Sequence, residues 1–197
     1  MIISAISEKG GPGKTTVLTN LAVYLHKEGK RVLLADLDPQ RSTTTWSVLR
    51  EQDEALDKIE TVYIEGGSIS TVLPALATSY DVVLVDTPGQ DNEITREALL
   101  MSDQVLIMFA IGGVDFVHIE HTLDVVRFAQ RHRFVYETDR APLDARMVVN
   151  KTRVRSSSER MMRDALNAQI EDDQEISICS TSLRQLDDFQ YAFMHGM

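Results

Sequence analysis

Residues 10–16 read Gly-Gly-Pro-Gly-Lys-Thr-Thr, a glycine-rich stretch ending on a lysine and two hydroxyls. A short apolar run precedes it, and apolar residues at helical spacing follow. Amides of such a loop, opening a helix, form a cradle for phosphate. Pro12 has no N–H, so the cradle falls to Gly11, Gly13, Lys14 and Thr15, with Gly10 and Thr16 at its ends. Lys14 is expected to reach the β- and γ-phosphates of a nucleotide, and the Thr15 hydroxyl to ligate Mg²⁺. The general pattern G-x-x-x-x-G-K-[ST] fails at its first glycine, where Glu8 stands.

Carboxylates complete the chemistry. Asp86 ends the apolar run at residues 81–86, where it can hold Mg²⁺ directly or through water. Asp38, two residues past Asp36, sits in a loop that can approach a γ-phosphate. Phosphoryl transfer needs both functions, charge neutralisation and a positioned nucleophile. Asn150-Lys151-Thr152-Arg153 begins like the guanine-reading NKxD element, but Arg153 replaces the aspartate. Arginine has no acceptor for the guanine N1–H and amine. The base is therefore read as adenine, with Asn150 either touching it or serving as a structural residue at a strand end.

Lys9 adds a second lysine at the start of the loop. Lys9-Gly10-Gly11-Pro12-Gly13-Lys14-Thr15 resembles the deviant Walker A motif, KGGxGK[ST], of the ParA/MinD family of ATPases. Asp36-Leu37-Asp38-Pro39-Gln40 resembles that family's DxDPQ switch. Residues 81–89, Asp-Val-Val-Leu-Val-Asp-Thr-Pro-Gly, resemble its Walker B strand. The chain looks most like the small plasmid-partition ParA type. The resemblance implies an ATPase using ATP/ADP and Mg²⁺, with Asp38 orienting the attacking water. Lys9 would touch the phosphates of the partner in a homodimer formed on ATP. Asp36 would support the metal's ligands or act structurally. It further implies non-specific binding to duplex DNA, slow hydrolysis stimulated by a ParB-like partner protein, and a role in partition of a plasmid, chromosome or other cargo.

Those motifs need a scaffold, and the apolar pattern supplies one. Runs at residues 2–7, 31–36, 59–64, 81–86, 105–110, 145–150 and 175–179 read as strands. Helical patterns cover 16–27, 42–51, 69–78, 93–101, 116–131 and 157–168, with Pro74 predicting a kink or break in the third. Continuous apolar strands alternating with helices mean a parallel sheet covered on both faces. The expectation is a three-layer α/β P-loop NTPase fold with a mostly parallel sheet of about seven or eight strands, in one domain over residues 1–197. The mixture of 43 % hydrophobic and 25 % charged residues excludes a disordered or fibrous chain. One cysteine, Cys179, excludes a disulfide framework and a multi-cysteine zinc site. No apolar run is long enough to span a membrane. The expected location is cytoplasmic, with nucleoid association when ATP is bound.

A net charge of −10 argues against a generally basic surface. Local clusters remain: Lys151, Arg153, Arg155, Arg160 and Arg163, and a second at Arg127, Arg131 and Arg133. Either these are solvated helix faces, or they contact DNA phosphates on a dimer. The final residues carry Asp187 and Asp188, which weighs against a membrane-binding, MinD-like role. The other alternative is an ATP-dependent small-molecule synthetase or kinase on the same scaffold. No metal site is expected at His118 and His121, which lack a third ligand.

Overall fold

The computed structural model describes residues 1–67, 69–111, 116–135, 141–153, 157–171 and 173–197. Seven strands form one sheet: β1 (Ile2–Ile6), β2 (Val32–Asp36), β3 (Glu60–Tyr63), β4 (Val82–Asp86), β5 (Gln104–Ala110), β6 (Asp144–Asn150) and β7 (Ile176–Ile178). Their order is β3-β2-β4-β1-β5-β6-β7, and every pairing is parallel. Parallel neighbours require crossovers. These are α1 (Lys14–Lys27), α2 (Ser42–Glu51), α3 (Ile69–Ala77), α4 (Glu93–Met101), α5 (Phe116–His132) and α6 (Ser157–Gln169), followed after β7 by α7 (Asp187–Met194).

All residues of β1, β2 and β4 are buried, so their side chains alternate between two cores. Ile2, Ile6, Leu33, Ala35, Val83 and Val85 face one core, which also takes Leu99, Leu123 and Leu166 from α4, α5 and α6. Ile3, Ala5, Val32, Leu34, Val82 and Leu84 face the other, under Leu18 and Ala22 of α1 and Trp46 of α2. Both predicted layers are therefore present. α3 runs through Pro74 as a single helix rather than breaking. Cys179 lies just beyond β7, outside the strand expected over residues 175–179, and is half-buried.

The register places the chemistry. Asp86 pairs with Ala5 on one side and with Asp36 on the other. The carboxyl ends of β1, β2 and β4 thus finish side by side. β1 lies between strands whose connections run in opposite directions, the place where open parallel sheets leave a crevice for ligands.

Candidate nucleotide site

The loop between β1 and α1 turns on Gly13, which caps the helix at a φ of 97°. A Cβ there would lie 2.4 Å from Asn150 Nδ2. Both the backbone conformation and the close approach of Asn150 require glycine. Asn150 Nδ2 donates to the Pro12 carbonyl at 2.7 Å, and its Oδ1 accepts from the Lys151 N–H at 2.7 Å. Lys151 takes a positive φ of 56°, and its ammonium donates to the Gly11 carbonyl. The end of β6 therefore grips the phosphate loop through two adjacent side chains. Asn150 is buried, and both ends of its amide bond backbone groups.

Lys14 is buried, and its Nζ donates to Ser7 Oγ at 3.0 Å. Ser7 Oγ donates in turn to the Lys9 carbonyl. Burial pulls the Lys14 pKa below its ordinary value, against the opposing pull of Asp86 and Asp38. Lys9 itself is exposed at the loop's start.

Asp86 is the most constrained acid of the site. Its Oδ2 accepts from Thr15 Oγ1 at 2.6 Å and from Thr43 Oγ1 at 2.7 Å. Its Oδ1 is buried with no hydrogen-bond partner among the described residues. Burial pushes its pKa up to about 6, although both threonines and Lys14 pull the other way and Asp36 adds to the rise. An orphaned buried carboxylate oxygen beside a threonine hydroxyl fits a hard divalent cation. Among the described residues, no group of three His, Cys, Asp or Glu side chains could hold a metal alone.

Both Asp36 oxygens are engaged. Oδ2 accepts from the Thr44 N–H and hydroxyl, and Oδ1 from the Asp38 N–H. Asp36 thus fixes the start of α2 and the loop before it. Asp38 is half-buried; its Oδ1 accepts from the Gln40 N–H at 2.9 Å, and the Leu37 N–H donates to the Asp86 carbonyl. Asp38 and Gln40 line a cleft of about 870 Å³ that runs from Gly10–Thr16 to an apolar wall at Leu186, Phe189, Phe193 and Met194. Such a volume suits a nucleotide.

The sequence did not point to Ser7, Thr43 or the α7 wall. Ser7 and Thr43 lie outside every motif. The wall has one faint signal, apolar residues at 186, 189 and 193. Three members of the basic clusters have partners of their own in the structure. Arg163 donates to the carbonyls of Cys179 and Ser180 and to Ser182 Oγ. Arg127 pairs with Asp173, and Arg133 is buried with a bond to the Ser102 carbonyl. Lys151 faces the phosphate loop, while Arg153 and Arg160 are exposed. Arg155 lies outside the described residues.

A pH measurement probes Asp86. In nucleotide-free protein its raised pKa contributes stability that is fully present below the unfolded value, about 4. That stability is lost as pH rises through about 6. The unfolding free energy of wild type minus that of Asp86→Asn should therefore fall across that window in denaturant titrations. A flat difference would assign the burial cost to another group.

The sequence model of the CobQ/CobB/MinD/ParA nucleotide binding domain matches residues 3–193. Sporulation initiation inhibitor protein Soj of Bacillus subtilis is 29 % identical over 168 residues, covering 66 % of this chain and 66 % of Soj. Maintenance of carboxysome distribution protein A of Halothiobacillus neapolitanus is 27 % identical over 190 residues, 96 % of this chain and 82 % of that protein. The match spans just under two thirds of B. subtilis Soj and 57 % of the chromosome-partitioning ATPase Soj of Thermus thermophilus. Apo McdA of Cyanothece has the same fold, with a TM-score of 0.73 at 17 % identity over 100 % of this chain and 90 % of that one. So does cobyrinic acid a,c-diamide synthase of Mycobacterium smegmatis with a bound ATP analog and magnesium, at 0.72 and 19 % over 94 % and 85 %. At these identities the structural likeness shows the fold alone. Among the described residues, no helix is long and apolar enough to cross a membrane.

Proposed function

The chain belongs to the CobQ/CobB/MinD/ParA family of nucleotide-binding domains, and from that premise we propose that it is a partition-type ATPase. It binds ATP with Mg²⁺, dimerises on it, holds DNA non-specifically and is reset by slow, partner-stimulated hydrolysis. The observation that carries the reading is the orphaned Asp86 Oδ1 beside Thr15, together with a buried Lys14 whose hydrogen-bond acceptor among the described residues is the neutral Ser7 hydroxyl. A magnesium nucleotide supplies what both lack.

Loop amides of Gly11, Gly13, Lys14 and Thr15 hold the phosphates, and Lys14 counters their charge. Mg²⁺ held by Thr15 Oγ1 and Asp86 Oδ1 would neutralise charge developing on the transferred phosphoryl group. Asp38 holds the attacking water, with its loop stiffened by Asp36 and Gln40. Asn150 and Lys151 keep the loop carbonyls of Pro12 and Gly11 turned away from the phosphates. Lys9, exposed beside the cleft, supplies a cation to the nucleotide of a second copy. Arg153 and Arg160, with Arg155, are the DNA-facing cations of this reading, while Arg163 has its guanidinium on backbone carbonyls. The activating partner is a ParB-like protein.

Sizing and turnover test this reading together. Wild type should become dimeric with ATP and Mg²⁺ but not with ADP. Lys9→Ala should bind ATP as a monomer and lose dimerisation and turnover. The dimer should bind duplex DNA of any sequence, with affinity falling steeply as salt rises, because phosphate contacts release counterions. Charge reversal at Arg153 and Arg160 should weaken that binding equally across sequences. Turnover by a monomer, indifferent to Lys9, would favour the synthetase or kinase reading.

A further inference from the structure

α7 is loosely rooted for an element that walls a ligand cleft. Phe193 packs on the core, whereas Leu186, Tyr191 and Met194 stand between 48 % and 62 % exposed. Its firm anchor is just beyond it, on α2. The buried Arg50 donates from Nη1 to the Gly196 carbonyl at 2.8 Å and from Nε to the Asp57 carbonyl at 2.6 Å. Trp46 Nε1 donates to the Met197 carbonyl at 3.3 Å. Gly196 has a φ of +68°, and a Cβ on it would lie 2.2 Å from the Arg50 nitrogen. The tail is thus pressed flat on the helix backbone.

The other end of α2 belongs to the phosphate half of the cleft. Thr43 bonds Asp86 and Thr44 bonds Asp36. α2 is ten residues, about 15 Å long. It therefore acts as a strut between the metal-side carboxylates and the tail that carries the apolar wall. A buried guanidinium that loses a carbonyl partner is left poorly solvated, so detaching the tail is penalised by more than one neutral hydrogen bond.

We infer that Trp46, Arg50 and Gly196 are positioning residues of the nucleotide site, holding α7 as the wall for the base and so setting how fast nucleotide leaves. This rests on the nucleotide reading above. The phosphates sit among Gly10–Thr16, Lys14 and Asp38. The apolar side chains that can cover a purine ring lie at the opposite end, on and before α7.

The test compares two ligands on the full chain, ATP and inorganic tripolyphosphate. In Gly196→Ala, ATP should dissociate about tenfold faster in stopped-flow displacement, the effect of one hydrogen bond at the strong end. Tripolyphosphate affinity should stay at the wild-type value, because the phosphate loop is untouched. Trp46→Phe keeps a buried aromatic ring, loses the Nε1–H bond together with part of the indole's volume, and should change ATP release in the same direction. It serves as the readout should Gly196→Ala fail to fold. Trp46 is the sole tryptophan, so its emission should shift to the red in Gly196→Ala as the tail lifts. ATP release at the wild-type rate in both variants overturns the inference, as does an equal loss of ATP and tripolyphosphate. Wild type that binds neither ligand defeats the nucleotide reading itself.

Discussion

Lys14→Ala should reduce ATP affinity by at least about two orders of magnitude, on the order of 3 kcal/mol, the scale for truncating one member of a buried charged pair. The magnitude follows from what surrounds Lys14 before nucleotide arrives. Its ammonium is buried, and its hydrogen-bond partner is the neutral Ser7 hydroxyl. Burial already disfavours its charge. A triphosphate provides the anion that such a cation lacks, in a cleft where water screens it little. The free protein should respond in the opposite sense. Burying that cation opposes folding at neutral pH, and the opposition fades only as pH rises toward the ordinary lysine value. Lys14→Met, which keeps the apolar stem, should therefore melt no lower than wild type without nucleotide. Calorimetric titration with ATP and thermal unfolding without it give the two numbers. ATP affinity within threefold of wild type would remove Lys14 from the phosphate site.

Asp38→Ala should lower turnover by about a hundredfold or more, roughly 3 kcal/mol of barrier, while ATP affinity changes little. Lys14, Thr15 and the loop amides do the binding; Asp38 positions water, and positioning is most of what a protein adds to phosphoryl transfer. The ATP-bound dimer should accumulate as a consequence. Asp38 also has a structural bond, from the Gln40 N–H to Oδ1. Asp38→Asn separates the two contributions, since its amide oxygen can accept that bond but its charge is gone. Slow turnover in both variants assigns the effect to the carboxylate. Recovery in Asp38→Asn assigns it to the loop, and loss of ATP binding moves Asp38 to the metal. Phosphate release beside sizing with ATP and Mg²⁺ provides the readout.

Much of this site is legible in the sequence, because its parts are local. Glycines, a lysine and threonines adjoin one another in residues 10–16, and Asp36 and Asp86 close apolar runs that can only be buried strands. The seven strands followed from the same runs. Their order did not, since nothing in residues 82–86 says that β4 inserts between β1 and β2. Partners distant in sequence were equally hidden. Arg127 pairs not only with Asp124 three residues before it but also with Asp173, 46 positions away. Arg163 spends its charge on carbonyls beyond β7. A basic cluster counted along the chain is therefore a poor guide to a basic surface. Asn150 was legible as a site residue but not in its posture. Its amide donates to the Pro12 carbonyl, 138 positions away in the chain, a pairing that no local pattern announces.

The two outer strands of the sheet have a consequence for how the chain behaves in a crowded solution. β3 is four residues long and opens on Glu60, which is held by the Tyr80 hydroxyl; β7 is three residues long. An exposed strand edge invites further strands to add, chain upon chain, and proteins blunt it by shortness and charge. Here the fully buried strands β1 and β4, with β5, are interior, each with a strand on both sides. The segments most prone to template fibrils are thus withheld as long as the sheet is closed over, and aggregation in this protein should track global unfolding rather than fraying at either rim.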